Sequence, residues 1–165
     1  MQCTTDRFDA MSEKDAVALL LECCSSRAWA YSVAAARPFG TRTALLATAE
    51  AAAENLDGDD LAEALAGHPR IGERAEHPAS RREQASVAEA DADVLARLAA
   101  GNRMYEEKFG HVYLVRAAGR TATELLDILE RRLGNDPLTE ERDMRSALAE
   151  ITRLRLERLI IEDGE

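Results

Sequence analysis

The chain has 165 residues, 46% hydrophobic and 32% charged, with 31 acidic side chains against 21 basic ones and a net charge of −10. That size and balance fit a single globular domain able to bury its own core, and exclude a disordered chain. The acidic excess argues against nucleic-acid binding, and no apolar run approaches the roughly 18 residues of a membrane span. Aromatic residues make up only 4%, while Ala and Leu are abundant, a mixture that favours helix over sheet.

The opening "MQCTTDRFDAMSEKDA" lacks the basic start and apolar stretch of a secretory leader. Residues 12–24 follow, with Ser12 and Asp15 in an approximate capping box and Val17, Leu20, Leu21 and Cys24 at helical spacing. "SSRAWAYSVAAA" predicts a second helix, halted at Pro38. "TRTALLATAEAAAENL" predicts a third, and "DDLAEALAG" a short fourth that ends at Gly67, a residue type that readily takes the left-handed cap conformation. A loop over 67–79 separates it from a long helical pattern that starts with Ser80 as its cap and runs to about Phe109.

"HVYLVRAAG" is the one β-like run and suits extended chain packed among helices. "TATELLDILERRLG" has Thr121 and Glu124 in capping-box positions and Gly134 at its end. Residues 139–162 read as a last amphipathic helix with Met144, Leu148, Ile151, Leu154 and Ile161 on one face. The closing "IEDGE" carries no targeting signal. The expected architecture is therefore all-α: one compact domain over 1–165, about seven or eight helices, and a short extended segment near residues 111–117.

The turn "GHPRIGE" is the first candidate for chemistry. A helix ending at Gly67 puts free carbonyls beside His68, a field that favours imidazolium, and Pro69 stiffens the backbone at that point. His68 is then either a proton donor or an ordinary member of a capping turn. Ser80 and Glu83 carry a similar ambiguity: a plain capping box, or a helix N-terminus offering N–H groups to an anion, with Glu83 and Gln84 beside it.

His77 and His111 complete the histidines, but neither HExxH nor an i, i+4 pair occurs, so no metal site is expected. Cys23 and Cys24 read as core thiols, reduced in a cytoplasm, and Trp29 as packing. Arg153, Arg155 and Arg158 have surface ion pairs with Glu150, Glu157 or Glu162 as their plain account. Walker A, GxGxxG and GxSxG motifs are all missing.

Taken together and in order, "HPRIGE", "SRREQ", "YEEKFGHVYLVRAAGR", "ILERRLGND" and "ALAEITRLRLERL" resemble the OHCU decarboxylases, and "LLECCSSRAWAYSVAAARPF" is similar to that family's opening. These enzymes convert 2-oxo-4-hydroxy-4-carboxy-5-ureidoimidazoline (OHCU) to (S)-allantoin in urate degradation. The resemblance implies an all-helical, cofactor-independent lyase acting on a small ureidoimidazoline, with a homodimer as the common assembly.

By the same resemblance His68, Glu83 and Arg155 are catalytic, with Arg153 or Arg158 replacing Arg155 if the register shifts. Pro69, Ser80, Gln84, Tyr113, Leu114, Val115, Arg116 and Ala117 bind substrate, the last five largely through main-chain groups. The chain departs from the family pattern at Arg70–Glu73, where many members read acidic-small-small-Gly, and at His111–Tyr113, where many read FPF. The competing function class is a non-catalytic helical module that binds a purine catabolite.

Overall fold

The computed structural model describes residues 1–162. In chain order its elements are β1 (Cys3–Thr4), α1 (Thr5–Asp9), α2 (Glu13–Leu21), α3 (Arg27–Ala35), α4 (Arg42–Glu54) and α5 (Gly58–Ala66). Then follow α6 (Pro78–Glu83), α7 (Ala92–Phe109), α8 (Ala122–Leu133), α9 (Pro137–Leu159) and β2 (Ile160–Ile161). The architecture is all-α as expected, with nine helices among the described residues rather than seven or eight. The last residues of "IEDGE", 163–165, lie outside the described part. No helix among the described residues is long and apolar enough to cross a membrane.

The chain forms two compact units, one from Met1–Gly67 with the segment from Leu148 onward, the other from His68–Ala147. In the first unit side-chain oxygens start the helices. Ser12, Ser26 and Thr41 accept from the backbone N–H of Asp15 (3.1 Å), Trp29 (3.2 Å) and Ala44 (3.2 Å). Trp29, Phe8, Leu20, Leu45, Leu148 and Leu156 are buried there, and Trp29 Nε1–H donates to Ala49 O at 2.9 Å, so Trp29 is packing as expected. Cys3 pairs with Ile160 and Thr4 with Ile161 in a two-stranded parallel sheet that the sequence reading missed, because its last helix was carried through to residue 162. Arg42 donates to Ile160 O (2.7 Å) and Glu157 O (2.9 Å), which anchors the turn out of α9.

The second unit packs α7 against α8. Leu98, Tyr105, Tyr113, Leu125 and Leu129 form its core, each burial contributing roughly 1.5–3 kcal/mol for the aliphatic side chains. A Cβ on Gly101 would meet Leu129 Cδ2 at 2.6 Å, so the helices approach this closely only because the residue is glycine. α8 begins with the full capping box: Thr121 Oγ1 accepts from Glu124 N (3.2 Å) and Glu124 accepts from Thr121 N (2.7 Å).

Three local expectations are corrected. Ser80 is not a helix cap: α6 begins at Pro78, which supplies the fixed φ of a first helical position, and His77 Nδ1 accepts from Ala79 N at 3.3 Å. The pattern from Ser80 to Phe109 is two helices, because the chain leaves α6 at Gln84 in successive turns and restarts at Asp91. Gly67 closes α5 with φ of −78°, right-handed rather than left-handed; Gly110, with φ 80°, is the left-handed cap. Gly67 is glycine for another reason, since a Cβ there would lie 2.0 Å from Ser25 Oγ.

Candidate active site

The turn that carries His68 is braced from three sides. His68 and Pro69 are half-buried, and the side chain of Ile71 plugs the core of the second unit. Gly72 has φ +91°, a conformation that favours glycine, and its N–H donates to Gln84 Oε1 at 3.0 Å. Gln84 Nε2 donates back to Arg70 O at 3.4 Å, while Asn102 Nδ2 donates to Ile71 O at 2.9 Å. Outside, Arg70 forks onto Glu106, with Nε and Nη2 at 2.6 and 3.1 Å from the carboxylate, and lies 3.6 Å from Glu73. The turn thus sets an arginine against an acid on α7.

Ser80 and Gln84 are buried and Glu83 is half-buried. Glu83 is the last residue of α6 and Gln84 its C-cap, so an anion held by a helix N-terminus at these two residues is ruled out. Both the oxygen and the nitrogen of the Gln84 side-chain amide engage the turn backbone, which ties this predicted substrate residue directly to the His68 segment.

Residues 112–117 form neither helix nor strand. Tyr113, Leu114, Val115 and Ala117 are buried and Arg116 is half-buried. Tyr113 Oη–H donates to Leu125 O at 3.0 Å, and Arg116 Nη1 donates to Ala118 O at 3.0 Å. His111, beside the strip, has Nδ1 3.1 Å from Val112 O and its ring edge-on to Tyr105.

A buried charged cluster that sequence reasoning did not find stands behind this strip. Arg132 donates from Nη1 to Leu114 O at 2.6 Å and from Nε to the two carboxylate oxygens of Glu140 at 2.9 and 3.2 Å, with Nη2 on Glu140 as well. Tyr105 Oη–H donates to Glu140 in a very short bond, and Asn135 Nδ2 donates to it at 3.0 Å. The Arg132 and Glu140 side chains are 4% and 0% exposed.

Burial alone would raise the Glu140 pKa, but the Arg132 and Tyr105 hydrogen bonds outweigh it and hold the carboxyl below its ordinary value. Burial likewise works against the Arg132 charge, and Glu140 reverses it, so Arg132 is raised. Tyr105 and Tyr113 are both pushed up, chiefly by burial. A signal was readable: Ala122, Leu125, Leu126 and Leu129 form the buried stripe of α8, and Arg132 continues it one step further.

Arg155 lies in the first unit. Of the three C-terminal arginines it is the buried one, and its Nη1 reaches Cys23 O at 3.5 Å. Arg153 pairs with Glu50 (2.7 Å) and Glu157 (2.9 Å), the latter as expected, and Arg158 is exposed. Cys3, Cys23 and Cys24 are free and buried, and burial pushes the Cys23 thiol up to about 12.

A cavity of about 460 Å³ opens in the second unit, within the range of ligand sites. Gly72, Ala75, Arg81, Val87 and Leu95 line it, and of the predicted site residues only Gln84 borders it. Among the described residues no group of three or more His, Cys, Asp or Glu side chains is placed to hold a metal ion.

A sequence profile, that of OHCU decarboxylase, matches residues 9–157, nearly the whole chain. The chain belongs to the OHCU decarboxylase family. That makes it a carbon–carbon lyase of urate degradation. Among solved structures, a crystal structure of an OHCU decarboxylase in the presence of (S)-allantoin aligns with a TM-score of 0.75 at 28% identity, covering 90% of this chain and 98% of that one. An (S)-allantoin synthase aligns with a TM-score of 0.74 at 18% identity, over 96% of this chain and 54% of the other, a likeness of fold alone. No curated protein matches the chain.

Proposed function

We propose that this member of the OHCU decarboxylase family converts OHCU to (S)-allantoin with His68, Glu83 and Arg155 as its catalytic groups. The observation that carries the reaction is the family match over residues 9–157, joined by the alignment to a decarboxylase crystallised with (S)-allantoin. The braced turn around His68 supports the assignment of the histidine, because a proton donor must be held still relative to the atom it serves.

The chemistry needs little beyond positioning. The bond to CO2 breaks and its electron pair forms a double bond to the neighbouring ureido-bearing carbon. The π pair of the ring C=N moves onto nitrogen, which takes up a proton. The resulting enol then loses its O–H proton to become the ring carbonyl, and the ureido-bearing carbon gains a proton on one face. The substrate's own C=N accepts the electrons, so the protein has only to orient the carboxylate, stabilise the enol oxygen and place protons.

His68 moves the proton between hydroxyl and carbon, and Glu83 orients or recharges it. Pro69, Ser80, Gln84 and the main chain of Tyr113, Leu114, Val115, Arg116 and Ala117 hold the ring and ureido amides, and Arg155 supplies positive charge. The three buried thiols suit a reducing cytoplasm, and a homodimer is the assembly we expect, to be measured by sedimentation.

The test is to generate OHCU from urate in situ and follow circular dichroism. Faster growth of the (S)-allantoin signal with protein supports the reading. Racemic product at the spontaneous rate, with ligand still bound, would leave a catabolite-binding module instead. His68→Asn should lower turnover by about 10²–10⁴-fold with the fold intact.

A further inference from the structure

The strip 112–117 raises an accounting question. Tyr113, Leu114, Val115 and Ala117 are buried, yet among the described residues none of their backbone N–H groups donates a hydrogen bond. Buried N–H groups without partners are rare, because desolvating one without compensation is unfavourable. The carbonyl side is treated quite differently. Leu114 O receives a charge-assisted bond of 2.6 Å from Arg132, whose other nitrogens are fixed by Glu140.

One planar trans peptide links Leu114 to Val115, so its C=O and N–H point in opposite directions. Arg132 on the carbonyl therefore sets where the Val115 N–H points. It also polarises that peptide, which makes the N–H a better donor. We propose that Arg132, locked by Glu140, is a positioning residue of the decarboxylation. It pins the Leu114–Val115 peptide so that the Val115 N–H is a fixed donor to the substrate oxygen on the carbon that loses CO2.

A fixed dipole aimed at the oxygen as the enol gives up its O–H proton needs no reorganisation during the reaction, which gives this arrangement its value over a mobile side chain. The burial of the cluster follows from the same logic. A guanidinium free to move in water would leave the peptide plane free to rotate. Tyr105 and Asn135 supply further bonds to Glu140, which hold the carboxylate against Arg132. The proposal rests on the reading that this strip binds substrate, and the experiment separates the two.

In the full-length protein, Arg132→Met, Glu140→Leu and Tyr105→Phe are combined, because an apolar replacement of a whole buried ion cluster commonly leaves the fold intact. Arg132→Lys is the second variant: it keeps a charge for Glu140 but has no fork to reach Leu114 O as well. Amide NMR shifts on adding (S)-allantoin are read in the wild type first.

The expected result is a shift at Val115 in the wild type. Either variant, folded by its melting curve, should show kcat at least about tenfold lower and a drop in the enantiomeric excess of allantoin. A Val115 shift with unchanged kcat, KM and stereochemistry in the variants overturns the role of Arg132 and leaves the strip reading standing. No shift anywhere in 113–117 of the wild type overturns both.

Discussion

Two irregular segments of the second unit are pinned in opposite ways. Neutral amides fix the His68 turn from inside, Gln84 and Asn102 on three backbone groups, and an exposed pair, Arg70 with Glu106, fixes it from outside. The strip 112–117 is held by a full charge, Arg132, sunk beside Glu140. Neutral bonds contribute about 0.5–1.5 kcal/mol each and can be lost singly. A buried ion whose partner is removed is strongly unfavourable, so the strip is secured all at once or not at all. The staples of the turn can thus be removed one at a time, whereas the Arg132–Glu140 pair behind the strip fails as a unit.

The sharpest way to break this contrast is Glu140→Ala, which strands the Arg132 charge. It should lower unfolding stability by about 3–5 kcal/mol in denaturant titration; a loss below about 1 kcal/mol would put the two segments on the same footing. Gln84→Ala removes both neutral staples and should lose about 1–3 kcal/mol, with turnover falling further than in Asn102→Ala. Equal turnover in the two variants would detach Gln84 from the chemistry. Arg70→Met should change stability least of the three, and less still at high salt, as an exposed pair does.

The pH dependence sharpens the comparison too. Glu140 is depressed in the folded state, so its contribution is present above the unfolded carboxyl value and is lost as pH falls through the lower folded value. Denaturant midpoints should therefore decline on the acid side of about pH 4.3 in the wild type, and more shallowly in Glu140→Gln. Parallel curves would remove Glu140 from that decline. Glu83→Gln costs no helix cap, because Glu83 is not in a capping box, and its turnover should fall.

Much of this was legible in the chain and some was not, for reasons that differ by residue. Local chemistry read well: Thr121 with Glu124 and Ser12 with Asp15 start helices as their spacing dictates. Ser80 misled because its spacing to Glu83 imitates a cap, while Pro78 had already set the helix start two residues earlier. The pairing of Cys3–Thr4 with Ile160–Ile161 joins opposite ends of the chain in two-residue strands, too short to leave a period. His68, Ser80, Glu83, Gln84 and Arg155 were singled out by motif, and the structure adds what a motif cannot contain. Nothing in "HPRIGE" reveals that Asn102 holds Ile71, and although Arg132 continues an apolar stripe, its partner Glu140 lies beyond the Gly134–Asn135 turn.

The ion pair between Arg70 and Glu106 has a consequence for anyone grafting sequence between relatives. Importing the acidic residue that many of them carry after the His-Pro pair would bring two carboxylates face to face across that gap. The two positions should therefore covary, and a swap such as Arg70→Asp would call for a basic residue at Glu106 in the same graft.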